Sequence, residues 1–273
     1  IGNQIKALSR GTDLLVATPG RLIDLIDRKA VILSKTRFLV LDEADQMLDM
    51  GFIHALRKIA PLLPQERQTM LFSATMPKNM AEIAATYLDN PVRIEVARAG
   101  QAADKVTQVV HFVEQAQKTK LLISLLDQHR TDRSLVFART KHGAERLMKN
   151  LVKAGFGATS IHGNKGQGQR ERAIAEFKSG KTPILVATDV AARGIDIPDV
   201  KSVYNYELPN VAENYVHRIG RTARAGKDGA AVAFCSPVEM DDLFGIEKAM
   251  KAKIKVASGT PFTPEAPPPR AKK

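Results

Sequence analysis

At 273 residues and 44% hydrophobic side chains the chain can bury sizeable cores, and its length suggests two domains. Lys and Arg number 41 against 29 Asp and Glu, and the net charge of +12 points to a polyanionic partner. The single cysteine, Cys235, excludes disulfides within the chain and Cys-rich zinc sites, and 5% aromatics without Trp argue against a base-stacking sheet. No apolar run approaches the roughly 20 residues of a membrane span. The six histidines show no HxxxH spacing that would suit a metal cage. The sequence opens at Ile1 in a helix-like stretch rather than on Met, which suggests a piece of a longer chain.

In chain order, Asp13–Ala17 reads as a strand, and Thr18-Pro19-Gly20-Arg21 follows it. Thr18 suits an N-cap and Pro19 a first helical position, so a helix should run through Arg28. Its free amides, with Arg21, can meet a phosphate, although an ordinary capped helix fits these residues equally well. The strand Arg37–Leu41 closes on Asp42-Glu43-Ala44-Asp45. An apolar strand ending in carboxylates puts them at the carboxyl edge of a parallel sheet, where open α/β sheets bind ligands. There one acid can hold hydrated Mg²⁺ beside phosphates and its neighbour can take a proton from water. The alternative is a helix N-terminus decorated with acids.

A helix over residues 53–62 and a strand Thr69–Ser73 follow, ending in Ser73-Ala74-Thr75. The two hydroxyls can bond carboxylates of the neighbouring strand, or Thr75 can simply cap the helix that Pro77 opens. Val92–Val96 alternates like a final strand of this half. The small, polar stretch 98–107 reads as a linker between a first lobe, 1–97, and a second, 108–256.

In the second half the strand–helix rhythm restarts. Strands are expected at 108–113, 134–138, 158–161, 183–187, 200–205 and 230–236, with helices at 118–129, 141–154, 167–178 and 238–252. Asn210 and Glu213 suggest a capping box for a further helix that carries Tyr215–Ile219. Such alternation means a parallel sheet covered on both faces. Residues 257–273, rich in proline and ending Arg270-Ala271-Lys272-Lys273, read as a disordered basic tail.

A phosphate loop is sought in vain. Gly180-Lys181-Thr182 resembles its end, but the required first glycine falls at Ala175, and the triplet precedes a strand instead of following one. The strongest motif is His217-Arg218-Ile219-Gly220-Arg221-Thr222-Ala223-Arg224. Its three arginines can reach an anion across a cleft, and their forked donors match a transferring phosphoryl group. A solvated basic helix is the competing reading. In Val186–Asp196, Thr188 sits at the sheet edge, Gly194 permits close approach to a ligand, and Asp196 can accept from a ribose hydroxyl. Gln167-Gly168-Gln169-Arg170 opens a helix near Gly163, a second phosphate-binding geometry or merely an exposed polar helix start.

Together these stretches resemble the DEAD-box family of superfamily 2 RNA helicases, from about residue 10 to residue 250. The tetrad, TPGR, SAT, ARGID and HRIGRTAR stand in the family's order and spacing. The basic tail is similar to bacterial members of the RhlE type. The resemblance implies two RecA-like doubly wound parallel-sheet lobes, the first incomplete, in a cytoplasmic ATP-dependent RNA helicase. Asp42 would hold Mg²⁺ through water and Glu43 would deprotonate the attacking water. Arg221 and Arg224 would be arginine fingers, with Gly194 and Asp196 meeting ATP. Asp45, Ser73 and Thr75 would couple the ATP site to lobe motion, with His217 as their contact. RNA backbone would touch Thr18, Pro19, Gly20, Arg21, Gly163, Gln167, Arg170 and Thr188. Protein partners would come from ribosome assembly or RNA degradation, and no membrane is implied. The family's Q motif, phosphate loop and first RNA motif precede TPGR, so the 273 residues alone are expected to be inactive. A smaller departure is Gly166, where many members carry serine. The alternative is a non-enzymatic RNA-backbone-binding module built on the second lobe.

Overall fold

A computed structural model describes residues 1–76, 78–95, 106–195, 197, 200–223 and 228–263. The chain divides into two compact units, Ile1–Glu95 and Val96–Lys273.

The first unit runs α1 (Gly2–Leu8), α2 (Pro19–Asp27), β1 (Phe38–Leu41), α3 (Ala44–Asp49), α4 (Ile53–Ile59), β2 (Gln68–Leu71) and α5 (Lys78–Tyr87). β1 and β2 pair in parallel, with Phe38 opposite Gln68 and Leu41 opposite Leu71. Leu41, Ala44, Leu56, Ile59, Met80, Ile83 and Tyr87 form the core. The Tyr87 hydroxyl donates to the Leu56 carbonyl at 2.6 Å, tying α5 to α4 inside that core. On the opposite face of the ribbon Phe38 and Val40 are exposed.

Two expected strands do not form here. Residues 13–17 and 92–95 form no strand among the described residues, with Val16 89% and Val92 88% exposed. A strand exists through its ladder, and β1 and β2 pair only with each other among the described residues. The side chains suit a strand, as an apolar run in 13–17 and by alternation in 92–95, but no neighbour among the described residues supplies the hydrogen bonds. Val96 and the expected linker, 98–107, lie outside the described residues apart from Val106 and Thr107.

The second unit runs β3 (Val106–Phe112), α6 (Lys118–Asp127), β4 (Ser134–Phe137), α7 (Lys141–Lys153), β5 (Ala158–Ile161), α8 (Gln167–Lys178) and β6 (Ile184–Ala187). It continues through α9 (Asp189–Ala192), β7 (Ser202–Asn205), α10 (Ala212–Ile219), β8 (Gly229–Cys235), α11 (Met240–Met250) and β9 (Lys255–Ser258). Seven parallel strands stand in the order β5-β6-β4-β7-β8-β3-β9. Every residue of β4 and β6 is buried. Alternate residues enter separate cores: Leu135 and Leu185 pack with Phe177, whereas Val136 and Val186 pack with Leu122 and Leu147. Both faces are therefore covered, as a parallel sheet requires.

Local signals set several boundaries. The Thr140 hydroxyl accepts from the Gly143 amide at 2.9 Å to start α7. Gly155, at φ +86°, ends it in the left-handed region. The capping box expected from Asn210 and Glu213 is not made: Val211 is the N-cap of α10, without a side-chain cap bond. β9 was not expected at all. Its Ser258 hydroxyl lies 2.7 Å from His111 Nδ1, and Phe262 packs edge-on against Phe112. Residues 257–263 thus belong to the second unit, not to a tail, and the remainder of the expected tail lies outside the described residues. Gly259 follows at φ +77°, where a Cβ would meet the Phe112 carbonyl oxygen at 2.2 Å. Among the described residues no helix is long and apolar enough to cross a membrane.

Candidate functional site

In the first unit β1 delivers Asp42 and Glu43, both exposed, at its carboxyl end. Glu43 adopts φ 50°, ψ 46°, a left-handed conformation that costs a non-glycine residue roughly 1–2 kcal/mol. Such strain persists only where the surroundings over-determine it. Here the next amide, Ala44 N, donates to Phe72 O at 3.0 Å, and Glu43 N donates to Asp42 Oδ1 at 3.0 Å. The turn presents two acids outward and sends the third inward. Asp45 is 5% exposed, and its Oδ2 accepts from both the amide and the hydroxyl of Thr75, each at 3.0 Å.

Of the two readings for Thr75, the bond to the carboxylate of the neighbouring strand is therefore the one made. Ser73 does not share it, because its hydroxyl already donates to Thr75 O at 2.6 Å. Asp42 fits a hydrated Mg²⁺: it is an exposed hard-oxygen ligand with Oδ1 on the adjacent amide and Oδ2 unbonded among the described residues. Asp45 does not fit, since Thr75 occupies it.

Thr18 caps α2 by position only, with an extended backbone and no side-chain cap bond. Pro19 is buried, and Gly20 and Arg21 are exposed at the helix start. Arg21 reaches Asp24 at 3.3 Å, a surface pair of small energetic weight.

In the second unit the carboxyl edge of the sheet collects most of the remaining candidates. Gly163 is exposed in the loop after β5, and Gln167, which opens α8, donates to Glu171 Oε1 at 2.8 Å. Gly166, where a capping hydroxyl is missing, is capped instead through its amide by Gln169 Oε1 at 3.1 Å. Arg170 reaches Ala191 O at 3.3 Å while its buried Nε has no partner among the described residues. Thr188 is the N-cap of α9, so Arg170 and Thr188 meet on the same short helix. Gly194 adopts φ +66° with open space where a Cβ would stand, so its conformation, not crowding, selects glycine. Arg221 donates to Ile195 O at 3.0 Å, and His217 is half-buried on α10. Asp196 and Arg224 lie outside the described residues.

Arg218 corrects the reading of three arginines aimed at an anion. It is 2% exposed and turned inward, its Nε and Nη2 forked onto Asp189 at 2.5 and 2.7 Å. Nη1 donates to Asn205 Oδ1 at 3.0 Å and to Glu207 O at 2.7 Å. The helical period carried the signal: Tyr215, Arg218 and Ile219 share the buried face of α10.

Glu145 was also missed. Its Oε2 accepts from Ser160 Oγ at 2.8 Å, lies 3.0 Å from His162 Nε2 and stands 3.6 Å from Lys165 Nζ. The bond to His162 leads the causes that hold its carboxyl down at about 2, against burial. A depressed carboxylate stabilises the fold above its ordinary value of 4.5 and ceases to as pH falls from there toward about 2. E145Q should therefore be less stable than the unmodified chain at neutral pH, and the gap should close below about pH 4.5. Urea midpoints measured across that range check it.

Two family profiles match this chain in succession: the DEAD/DEAH box helicase over residues 1–83 and the helicase conserved C-terminal domain over residues 117–226. The Escherichia coli DEAD-box protein SrmB, solved bound to RraA, is 39% identical with a TM-score of 0.53. The match covers 55% of this chain and 89% of that one. The chain belongs to the DEAD-box helicase family. Saccharomyces cerevisiae Dbp5, solved with RNA and ADP–BeF3, matches at 33% identity and TM-score 0.78 over 89% of this chain. A DEAD box protein from Methanococcus jannaschii matches at 41% identity and TM-score 0.55 over 88% of it. The chain spans 64% and 65% of the lengths of those two relatives. The α/β fold expected of a DEAD-box protein, with the RecA-like parallel sheet, is the one found.

Proposed function

We propose that these residues belong to an ATP-dependent RNA helicase that couples ATP hydrolysis to local duplex unwinding or ribonucleoprotein remodelling. The observation that carries the reading is the pinned turn at the end of β1. It holds Asp42 and Glu43 outward while Thr75 secures Asp45. Mg²⁺, when bound, would neutralise phosphate charge. Asp42 would hold its water shell, and Glu43 would orient and deprotonate the attacking water. Arg221 and Arg224 would balance the charge of the transferring phosphoryl group, and Gly194 and Asp196 would contact the nucleotide. Asp45, Ser73, Thr75 and His217 would pass the state of the nucleotide to the RNA. Dbp5, a relative solved with RNA and ADP–BeF3, supports a nucleotide and RNA as the ligands. RNA would lie by its backbone on Thr18, Pro19, Gly20, Arg21, Gly163, Gln167, Arg170 and Thr188, which accords with sequence-independent binding.

We further place the protein in the cytoplasm, near the bacterial RhlE-type members, with partners in ribosome assembly or RNA degradation. SrmB with RraA is an instance of partner binding within the family. Turnover in this reading needs a phosphate loop, which the 273 residues do not contain. Among the described residues the second unit carries a seven-stranded sheet and the first only two strands, so the chain by itself would act as an RNA-binding module.

The test compares binding of the purified chain to single-stranded RNA and DNA of equal sequence, alongside phosphate release. Preference for RNA without turnover is expected, because contacts to 2′-hydroxyls tell the two apart. Equal affinity for DNA would favour a DNA-translocating relative. RNA-stimulated phosphate release would overturn the need for the loop.

A further inference from the structure

We infer that the outward face of α7 is an auxiliary docking surface for RNA backbone that continues past the His162–Gly163 loop. This inference rests on the RNA-binding reading above, and it concerns residues outside the motifs named there. His142, Arg146, Lys149 and Lys153 are all exposed. They stand at i, i+4, i+7 and i+11, which places them in one stripe along the helix. At 1.5 Å per residue that stripe is about 16 Å long. Ala144, Leu147 and Leu151 hold the opposite face in the core, so the orientation of the stripe is fixed.

The stripe is almost unopposed. Its helix carries one acid, Glu145, whose Oε2 is turned to Ser160, His162 and Lys165. Lys149 approaches the other oxygen only at 3.9 Å, with its own side chain 71% exposed. Arg146 and Lys153 make no ion pair among the described residues. A solvated helix in a soluble protein ordinarily interleaves both signs along such a face; this one does not.

Position argues for RNA as the occupant. Glu145 bonds His162 at 3.0 Å, so the first turns of α7 stand beside the loop that carries Gly163. From there α7 runs away from the carboxyl edge of the sheet, and its cations lead off that loop down the flank. A nucleic acid duplex presents about one negative charge per 1.7 Å of axis, so a stripe of this length can meet several phosphates. Such contacts release counterions and carry no sequence information.

The experiment uses the purified 273-residue chain with a short RNA that spans only the loop and a longer one that continues past it. The triple variant Arg146→Ala, Lys149→Ala, Lys153→Ala changes exposed positions alone and is checked by circular dichroism. For the long RNA, the slope of log affinity against log salt should fall by about two in the variant. For the short RNA it should not move. An unchanged slope with the long RNA overturns the inference while leaving RNA binding intact. An equal loss with both lengths overturns it too, because the effect is then a general field. If poly-glutamate loses as much affinity as the long RNA, the surface is one for acidic proteins. Failure of the unmodified chain to bind RNA removes both this inference and the reading beneath it.

Discussion

Lys118→Met should lower the stability of the second unit by about 3–5 kcal/mol, the cost of leaving a buried charge without its partner. Lys118 opens α6 and is fully buried, with its ammonium on Tyr206 O at 3.0 Å, Phe234 O at 3.3 Å and the Glu239 carboxylate. Glu239, 2% exposed, also accepts from Leu208 N at 3.0 Å, Ser236 N at 3.0 Å and Ser236 Oγ at 2.5 Å. The pair therefore knots the segments that leave β7 and β8 to the starts of α6 and α11. Burial pushes the Glu239 carboxyl up, but the Lys118 charge and hydrogen bond, with the Ser236 donors, outweigh it and hold it below its ordinary value. Its stabilisation is thus present above that ordinary value and lost as pH falls through the depressed one.

Methionine removes the counter-charge and three donated bonds while roughly keeping the stem's volume. Arg139 is no substitute: it stands 3.8 Å from Glu239 Oε1 and is committed to Asp242 at 2.8 Å. The double variant Lys118→Met, Glu239→Gln should recover part of the loss, because no charge is then stranded. Urea midpoints measure both. A loss below about 1 kcal/mol in the single variant would mean that water reaches Glu239 and solvates it as at a surface.

The second unit was legible because its strands are buried on both faces. Leu135–Phe137 and Ile184–Ala187 read as continuous apolar runs, and such runs need no knowledge of their neighbours. β9 shows the reverse case: all four of its residues are exposed at the sheet edge, so no apolar pattern announces it. Residues 13–17, a short apolar run, and 92–95, which alternate, show a third case, in which the side chains suit a strand and no partner strand stands beside them among the described residues. Asp42 and Glu43 were legible from an apolar strand ending in acids, a local signal. The partner of Asp45 was legible only as one of two readings, since Thr75 lies 30 residues on and could as well have capped a helix. Glu145 and His162 meet across 17 residues for the same reason. Arg218 misled because charge within a basic stretch was read ahead of helical period.

Arg218→Ala should also cost the second unit about 3–5 kcal/mol, since it strands the Asp189 carboxylate and removes a packed, fully bonded guanidinium. The fork onto Asp189 joins α10 to α9, and the remaining bonds, to Asn205 and Glu207, join it to the end of β7. The guanidinium also lies over the Phe137 ring at 4.9 Å, on β4. A fork with two parallel bonds fixes angle as well as distance, which a single ammonium cannot do. Arg218→Lys should accordingly recover little of the loss, although it keeps the charge. Recovery to within about 1 kcal/mol of the unmodified chain would show that charge alone holds α10 in place. Arg218→Met paired with Asp189→Asn supplies the other control. Near-native stability there would mean that burying the ion pair offsets what it contributes, as buried pairs can. The fork would then matter for the register of α10, and so for where Arg221 sits against Ile195, more than for stability.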